Sequence, residues 1–163
     1  MSIGEGAATA YRTDRGRDWP SIRQFSVFLE NRVGQLLDVV RRFEKTKVRI
    51  VAVSIIDSAD CAIVRLVLSH PEQGREILER AGLAVAESDL VVVELTHAEQ
   101  PLLDICTALL QAEINIHYAY PMMIHPHGYG AIALHVDNHE AAVETLKRIN
   151  FRVLTEADLT SSF

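Results

Sequence analysis

An α+β fold built from two copies of one unit is predicted by three features of the sequence. Segments of the chain recur in the same order: QLLDV at 35–39 returns as PLLDI at 101–105, and LERAGLAVAESDL at 78–90 returns as LKRINFRVLTEADL at 146–159. In each copy, β-rich runs alternate with helix-periodic runs. The chain of 163 residues, 48% apolar and 23% charged, is long enough to bury a core. A match that persists through several segments indicates duplication.

The first half of the unit has one strand, one helix and one hairpin. RQFSVFL at 23–29 is β-rich, and GQLLDVVRRFEKT at 34–46 has apolar residues at 36, 37, 40 and 43, the spacing of one helix face. Two β-branched runs, at 48–56 and 61–69, flank DSAD at 57–60. Asp and Ser are turn formers, so this segment predicts a hairpin in which Asp57 and Asp60 serve the turn rather than a paired-carboxylate site.

The second half of the unit adds a helix and a closing strand. HPEQGREILERAG at 70–82 has proline early and glycine past its end, as helix termini prefer, and LAVAES at 83–88 follows as a strand. The order is therefore βαββαβ, twice, which is the ferredoxin-like motif with helices on one face of an antiparallel sheet. We expect a disordered tail at 1–21, which has little to bury, a first unit at 22–88 and a second at 89–160.

The strands are apolar on both faces, which predicts a covering layer on the side without helices. In the run at 48–56 one alternating set is Val48, Ile50 and Ala52, and the other is Val51, Val53 and Ile55. Strands buried on both faces read as continuous apolar runs. We expect a second sheet, most economically from another chain, and hence a homodimer or higher homo-oligomer burying at least about 800 Å² per partner. The alternative is an apolar face on a monomer.

Charge, hydropathy and cysteine usage exclude several classes of protein. Sixteen basic and 22 acidic side chains give a net charge of −6, which argues against nucleic-acid binding. No apolar run is long enough to cross a membrane, and the first twenty residues lack the apolar core of a signal peptide. Cys61 and Cys106 lie in apolar runs, so we expect reduced core thiols and a cytoplasmic protein.

Catalytic signatures are missing, and the histidines are the one candidate metal group. The chain has no G-x-S-x-G, C-x-x-C, H-E-x-x-H or glycine-rich phosphate loop, so we expect no enzyme activity and no cofactor. A small metal-dependent enzyme using His117, His125, His127 and His135 is an alternative, because zinc takes three or four such ligands. The proline and glycines around His125 and His127 favour a flexible, solvent-facing turn instead.

Tyr118 and Tyr120 share one face of a predicted strand. Packing against a helix or the neighbouring repeat is the favoured interpretation. A pocket wall is compatible with it, since ligand sites are mostly apolar.

The strand-to-helix loop ENRVGQL at 30–36 is the best candidate binding site. Gly34 permits a positive φ and a close approach to the backbone, and the following helix begins with unsatisfied N–H groups. Together these features suit a carboxylate at Asn31–Leu36, with Arg32 adding positive charge. The alternative is structural: Gly34 only permits the turn, and Asn31 caps the helix.

Because of its repeated βαββαβ order and its first loop, the chain resembles tandem ACT-domain proteins over residues 22–159. Their first loop typically reads Asp/Asn-x-Pro-Gly-x-Leu, and here it reads Asn31-Arg32-Val33-Gly34-Gln35-Leu36, with valine in place of proline. AVSIIDSADCAIVRLVL at 52–68 is similar to the strand–turn–strand of small stand-alone members. The resemblance implies a non-catalytic regulatory module whose units pair side by side, often in an eight-stranded sheet.

The resemblance also implies an amino-acid site between the first loop of one unit and strands of the next. By position it nominates the loop residues Asn31, Arg32, Val33, Gly34, Gln35 and Leu36, the strand end Ser54, Ile55 and Ile56, and, more weakly, the facing strand around His117 and Tyr118. The second repeat's loop, at 96–102, has Gln100 for Gly34 and Glu99 for Val33. We therefore expect one competent site in a chain, or none.

Two functions follow from the resemblance. One is an amino-acid sensor that signals by changing its assembly or the activity of a protein partner. The other is a protein-interaction module whose ligand pocket is vestigial.

Overall fold

The computed structural model describes residues 19–96 and 98–163, so nearly all of the predicted tail at 1–21 lies outside the described residues. The elements are β1 Ile22–Glu30, α1 Gln35–Arg41, β2 Ile50–Asp57, β3 Cys61–Leu68, α2 Pro71–Arg80, β4 Ala84–Glu94, α3 Pro101–Gln111, β5 Ile116–Pro121, β6 Ala131–Val136, α4 His139–Arg148 and α5 Glu156–Thr160. The predicted α+β class, with antiparallel strands and repeated helix positions, is confirmed.

The strand β4 belongs to both repeats. Its first part, up to Leu90, pairs with β1, and its second part, from Val91, pairs with β6. The strand order is β2-β3-β1-β4-β6-β5, a six-stranded sheet rather than the eight strands expected from the family. The run LAVAESDLVVVEL at 83–95 contains no glycine or proline, so nothing breaks the extended chain between the two predicted strands.

The closing strand predicted for the second repeat is reduced to one bridge. Val153 pairs with Val93, and the Leu154 N–H donates to the Val92 carbonyl at 2.7 Å. The helix α5 follows at once, because Thr155 and Asp158 form a reciprocal capping box at its start. The second copy of the closing strand is therefore shorter than predicted, because the local capping signal starts a helix at Glu156.

Helices cover one face of each half of the sheet. The helices α1 and α2 pack on β1 and β3 through a cluster that includes Val39, Leu78, Phe25, Val27 and Leu66. The helices α3 and α4 pack on β4 and β6 through Ile105, Leu109, Leu146, Val91 and Val93. In α2, α3 and α4 the apolar periodicity supplies the buried side chains on the inner face. The predicted inner face of α1 was wrong: Leu36, Leu37 and Val40 are exposed, and the buried residue of this helix is Val39.

The two helix-free faces pack on each other within one chain. Their shared core includes Ile22, Val67, Leu90, Tyr120 and Ala133. The ends of the strand order also meet, since the Met123 N–H just after β5 donates to the Val51 carbonyl of β2 at 2.7 Å. The covering sheet that we expected from another chain thus comes largely from the second repeat. The doubly apolar strands do not by themselves require a partner chain.

The cysteines are both free, and only one is partly buried. Cys61 is half-buried and Cys106 is exposed, so the predicted core position of Cys106 was wrong. Its neighbour Ile105 lies on the buried face of α3, which leaves Cys106 on another face of the helix. Across the described ranges, no helix combines the length and apolar character needed to span a membrane.

Gly74 is expected to be intolerant of even a methyl group. It is buried in α2, where an added Cβ would lie 2.3 Å from the Leu68 Cδ1 atom. Leu68 is fully buried and cannot move freely. Gly74→Ala should lower the free energy of unfolding by about 1–3 kcal/mol through overpacking, although alanine is the better helix former by about 1 kcal/mol.

Urea unfolding measures this effect. The control Gln73→Ala changes an exposed neighbour on the same helix and should stay within about 0.5 kcal/mol of the parent. A Gly74→Ala protein as stable as the parent would show that this packing is looser than described.

Candidate functional site

Gly34 sets the path of the loop between β1 and α1. Its φ is 88°, in the left-handed region, and an added Cβ would meet nothing within 4 Å. The backbone conformation, and not a lack of space, is therefore what favours glycine here. The Gly34 carbonyl accepts the first helical hydrogen bond, from the Asp38 N–H at 3.0 Å.

Asn31 ties this loop to the neighbouring hairpin. Its Nδ2 donates to the Ser58 carbonyl at 3.0 Å, and α1 has no side-chain cap. The alternative that Asn31 caps the helix was therefore wrong. The β2–β3 turn itself is closed by Ser58, whose N–H and hydroxyl both donate to the Cys61 carbonyl.

A cavity of about 250 Å³ lies where the loop meets β2 and β3. Its charged lining residues are Arg32, Glu30 and Asp57, and its apolar ones include Leu36 and Ile55. Ligand pockets for drug-sized molecules are about 300–1,000 Å³, so this cavity suits a smaller molecule. It presents both signs of charge beside an apolar wall.

The nominated residues divide between two faces of the sheet. Asn31, Arg32, Gly34, Gln35, Leu36 and Ile55 line the cavity. Val33 is fully exposed and does not line it. Ser54 and Ile56 lie on the helix-free face, because side chains alternate along a strand and Ile55 pairs with Val64 on the helix side. The structure therefore does not bring Ser54 and Ile56 to the cavity.

The second repeat's loop has a different backbone. Gln100, at the position of Gly34, has φ −134°, so no left-handed residue begins α3 there. His97 in this loop lies outside the described residues. The backbone conformation that shapes the first loop is thus not reproduced at Gln100.

Tyr118 and Tyr120 connect the two half-sheets rather than reaching the loop cavity. The Gln24 Nε2 donates to the Tyr118 hydroxyl at 2.7 Å, and the Tyr120 hydroxyl donates to Gln24 Oε1 at 2.6 Å. Tyr120 is buried in the shared core, and this burial raises the pKa of its hydroxyl. The predicted packing of Tyr120 against the neighbouring repeat is confirmed.

The histidines fall into separate groups. The His117 and His135 rings are 5.4 Å apart, whereas His127 contacts the Glu94 carboxylate through Nδ1 and lies 3.4 Å from Asp158 through Nε2. Within residues 19–96 and 98–163, no three His, Cys, Asp or Glu side chains are arranged to hold a metal ion. These contacts with Glu94 and Asp158 also hold His127 in place within a turn that the sequence predicted to be flexible and solvent-facing.

His135 is expected to titrate at lower pH than an ordinary histidine. Burial lowers its pKa from 6.5, and the neighbouring His117, Arg65 and His139 lower it further. The folded state therefore favours neutral His135, so the free energy of unfolding should fall as pH drops below about 6.5, until the folded pKa is passed. NMR of the ring protons measures the midpoint, and a midpoint at or above 6.5 would contradict the described surroundings.

Comparison with known proteins places the chain in a family. The family model described as an ACT domain pair matches residues 20–162. Protein BT0572 from Bacteroides thetaiotaomicron is similar in structure, with 25% identity and a TM-score of 0.77 over 86% of this chain and 96% of that one. No curated protein matches in sequence.

Two further solved structures share the fold at lower identity. The regulatory subunit of aspartate kinase from Thermus thermophilus has 12% identity and a TM-score of 0.55 over 78% of this chain and 91% of that one. The corresponding subunit from Thermus flavus has 12% identity and a TM-score of 0.52 over 79% and 92%. Because the family match spans nearly all of the described residues, the chain belongs to the ACT domain pair family.

Proposed function

We propose that the protein is a non-catalytic regulatory module that binds a free amino acid in the cavity beneath the β1–α1 loop. The observation that carries the proposal is the cavity itself, where the left-handed Gly34 turns the loop toward β2 and opposite charges share a small volume. An amino acid is a zwitterion with an apolar or polar side chain, so it needs this combination.

The charged lining residues match the two ends of such a ligand. Arg32 can receive the α-carboxylate as a charge-assisted pair, and Asp57 and Glu30 can receive the α-ammonium group. Leu36 and Ile55 offer contact to the ligand side chain. A ligand of about nine heavy atoms at the limit of about −1.5 kcal/mol per atom can reach micromolar affinity, about −8 kcal/mol.

The signal is proposed to pass through the oligomeric state or a partner protein. Equivalent helices of the two repeats expose apolar side chains, with Leu36 and Leu37 on α1 and Leu102 and Leu103 on α3. Exposed apolar patches mark interaction surfaces, and the exposed leucines of α1 adjoin the cavity at Leu36. Two structural neighbours are regulatory subunits of aspartate kinase, which supports an action on another protein. A ligand transmits a signal only if it binds one state better than another.

The same exposed leucines favour the second candidate, an interaction module with a vestigial pocket. In that case changes in the loop would leave assembly and partner binding unchanged. Sedimentation of the protein with and without the amino acid separates the two, because only the sensor changes its assembly or partner binding with ligand.

A thermal-shift screen of the common amino acids tests the proposal. A ligand at 100 times its Kd should add about 2.7 kcal/mol to the free energy of unfolding. Gly34→Asp should abolish the stabilisation, because it places an acid beside the ligand carboxylate. Gly34→Asn is the matched control, since Asn has the size of Asp and a similar tolerance of the left-handed backbone but carries no charge. A screen in which no amino acid stabilises the protein would contradict the proposal.

A further inference from the structure

A polar row crosses the helix-free face of the first half-sheet, on the side opposite the loop cavity. Arg65 of β3 lies in register with Ser26 of β1 and Ser54 of β2. All three side chains are half-buried. The guanidinium of arginine only donates hydrogen bonds, and each serine hydroxyl can donate one. The row therefore suits a ligand group that accepts hydrogen bonds.

The Arg65 guanidinium is held by an aromatic ring and not by an acid. Its central carbon lies 3.6 Å from the centroid of the Tyr118 ring. In the described part of the chain, no carboxylate forms an ion pair with Arg65 and no acceptor receives its N–H groups. Stacking occupies one flat face of the guanidinium and leaves its N–H edge for a planar, two-oxygen acceptor such as a carboxylate.

The surroundings of Tyr118 add positive or neutral groups. The His135 ring stacks on Tyr118 at 4.8 Å, and His117 lies 5.4 Å from His135. The buried His135 Nδ1 has no hydrogen-bond partner among the described residues. Among the residues that the structure describes, no acid in this corner balances Arg65, and its polar groups are not all paired by the fold's own hydrogen bonds.

An exposed apolar row lies beside the polar row. This row lies two residues along each strand from the polar row and on the same face. It consists of four residues in register on four neighbouring strands: Ile56, Ile63, Phe28 and Ala84. Phe28 is 44% exposed and Ile56 39% exposed, because the second half-sheet covers only the other end of this face. A bound molecule could thus place an anionic end on Arg65 and an apolar end on this row.

We propose that this face binds a small carboxylate that carries an apolar substituent and no ammonium group. The carboxylate pairs with the N–H edge of Arg65 and the neighbouring hydroxyl of Ser54, and the substituent covers Phe28, Ile63 and Ile56. Exclusion of an ammonium group follows from the absence of any acid at this place in the described structure. The loop cavity differs in this respect, because it carries Asp57 and Glu30.

Three probes that share a phenyl ring test the charge selection: phenylacetate, phenethylamine and L-phenylalanine. Amide NMR of the full chain should show saturable shifts with phenylacetate at Ser26, Ser54 and Arg65. Phenethylamine should not bind there, and L-phenylalanine should bind at least about tenfold more weakly. Equal affinity for the amine, or no saturable shift at these amides, would overturn the proposal.

Substitutions separate this face from the loop cavity. Arg65→Gln should weaken phenylacetate binding at least about tenfold, and Arg65→Lys, which keeps the charge but loses the planar fork, should give a smaller loss. Arg32→Gln, in the loop cavity, should leave the phenylacetate-induced shifts at the Ser26, Ser54 and Arg65 amides unchanged. Unchanged affinity in both Arg65 variants, or binding lost only in Arg32→Gln, would overturn this proposal without touching amino-acid binding at the loop.

Circular dichroism establishes that each variant is folded. If Arg65→Gln is not folded, Arg65→Lys and Ser54→Ala decide the question, since each removes part of the same donor set. Shifts at these amides that depend on protein concentration and not on phenylacetate would assign the face to a second copy of the chain, and would also overturn the proposal.

Discussion

Replacing Glu156 by alanine is expected to lower the free energy of unfolding by about 3 kcal/mol, because it leaves a buried arginine without its main counter-charge. The Arg23 side chain is 6% exposed, and its Nε donates to Glu156 Oε2 at 3.0 Å. Burial alone would lower the pKa of Arg23, but the hydrogen bonds to Glu156 and Glu72 outweigh it and raise that pKa. The pair joins β1 of the first repeat to α5 of the second.

Two controls distinguish this buried pair from ordinary surface charge. Glu72 also contacts Arg23, but its side chain is 74% exposed, so Glu72→Ala should cost less than about 1 kcal/mol. Glu76→Ala breaks an exposed pair with Arg80 and should cost about 0–0.5 kcal/mol. Urea unfolding at pH 7 measures all three. If Glu156→Ala lowers the free energy of unfolding no more than Glu72→Ala does, the Arg23–Glu156 pair does not stabilise the contact between the two repeats as described.

Asp57→Asn and Arg32→Gln are each expected to weaken amino-acid binding about 10- to 100-fold. Each removes one charge from the cavity lining, and a hydrogen bond to a charged group contributes about 1.5–3 kcal/mol. Both side chains are exposed, so the free energy of unfolding without ligand should change by less than about 0.5 kcal/mol. Isothermal titration with the amino acid that gives the largest thermal shift measures the loss.

Asp60→Asn is the matched control for Asp57→Asn. Asp60 lies at the other end of the DSAD turn from Asp57 and does not line the cavity. Its replacement by asparagine changes the net charge of the protein by the same amount. We expect this variant to bind the amino acid as the parent does. Equal losses in Asp57→Asn and Asp60→Asn would show that long-range charge, and not contact in the cavity, determines affinity.

The fold was predictable where its causes are local. The proline and glycine around α2 and the DSAD turn each act over a few residues, and both were predicted correctly. The apolar spacing at 36, 37 and 40 predicted a helix but the wrong inner face, since these residues are exposed and Val39 is buried. The fused strand β4 and the packing of the two helix-free faces depend on contacts between distant segments. Nothing in the sequence distinguishes a covering sheet from the same chain and one from a partner.

The candidate site was predictable in part for the same reason. Gly34 marked the loop because glycine permits a left-handed backbone at a strand-to-helix turn, and the backbone has that conformation here. Ser54 and Ile56 were nominated together with Ile55 for their backbone groups, and strand alternation places their side chains on the face opposite to that of Ile55. Arg65 had a signal that we did not use: it is the one charged residue in the run CAIVRLVLS at 61–69.

A crystal structure with the best-binding amino acid at saturating concentration tests the central claim most directly. The account predicts electron density for the amino acid in the loop cavity, with its carboxylate on Arg32 and its ammonium group facing Asp57. An amino acid bound elsewhere with the loop cavity empty, or a loop at 31–36 closed onto Ile55 so that no ligand fits, would contradict it.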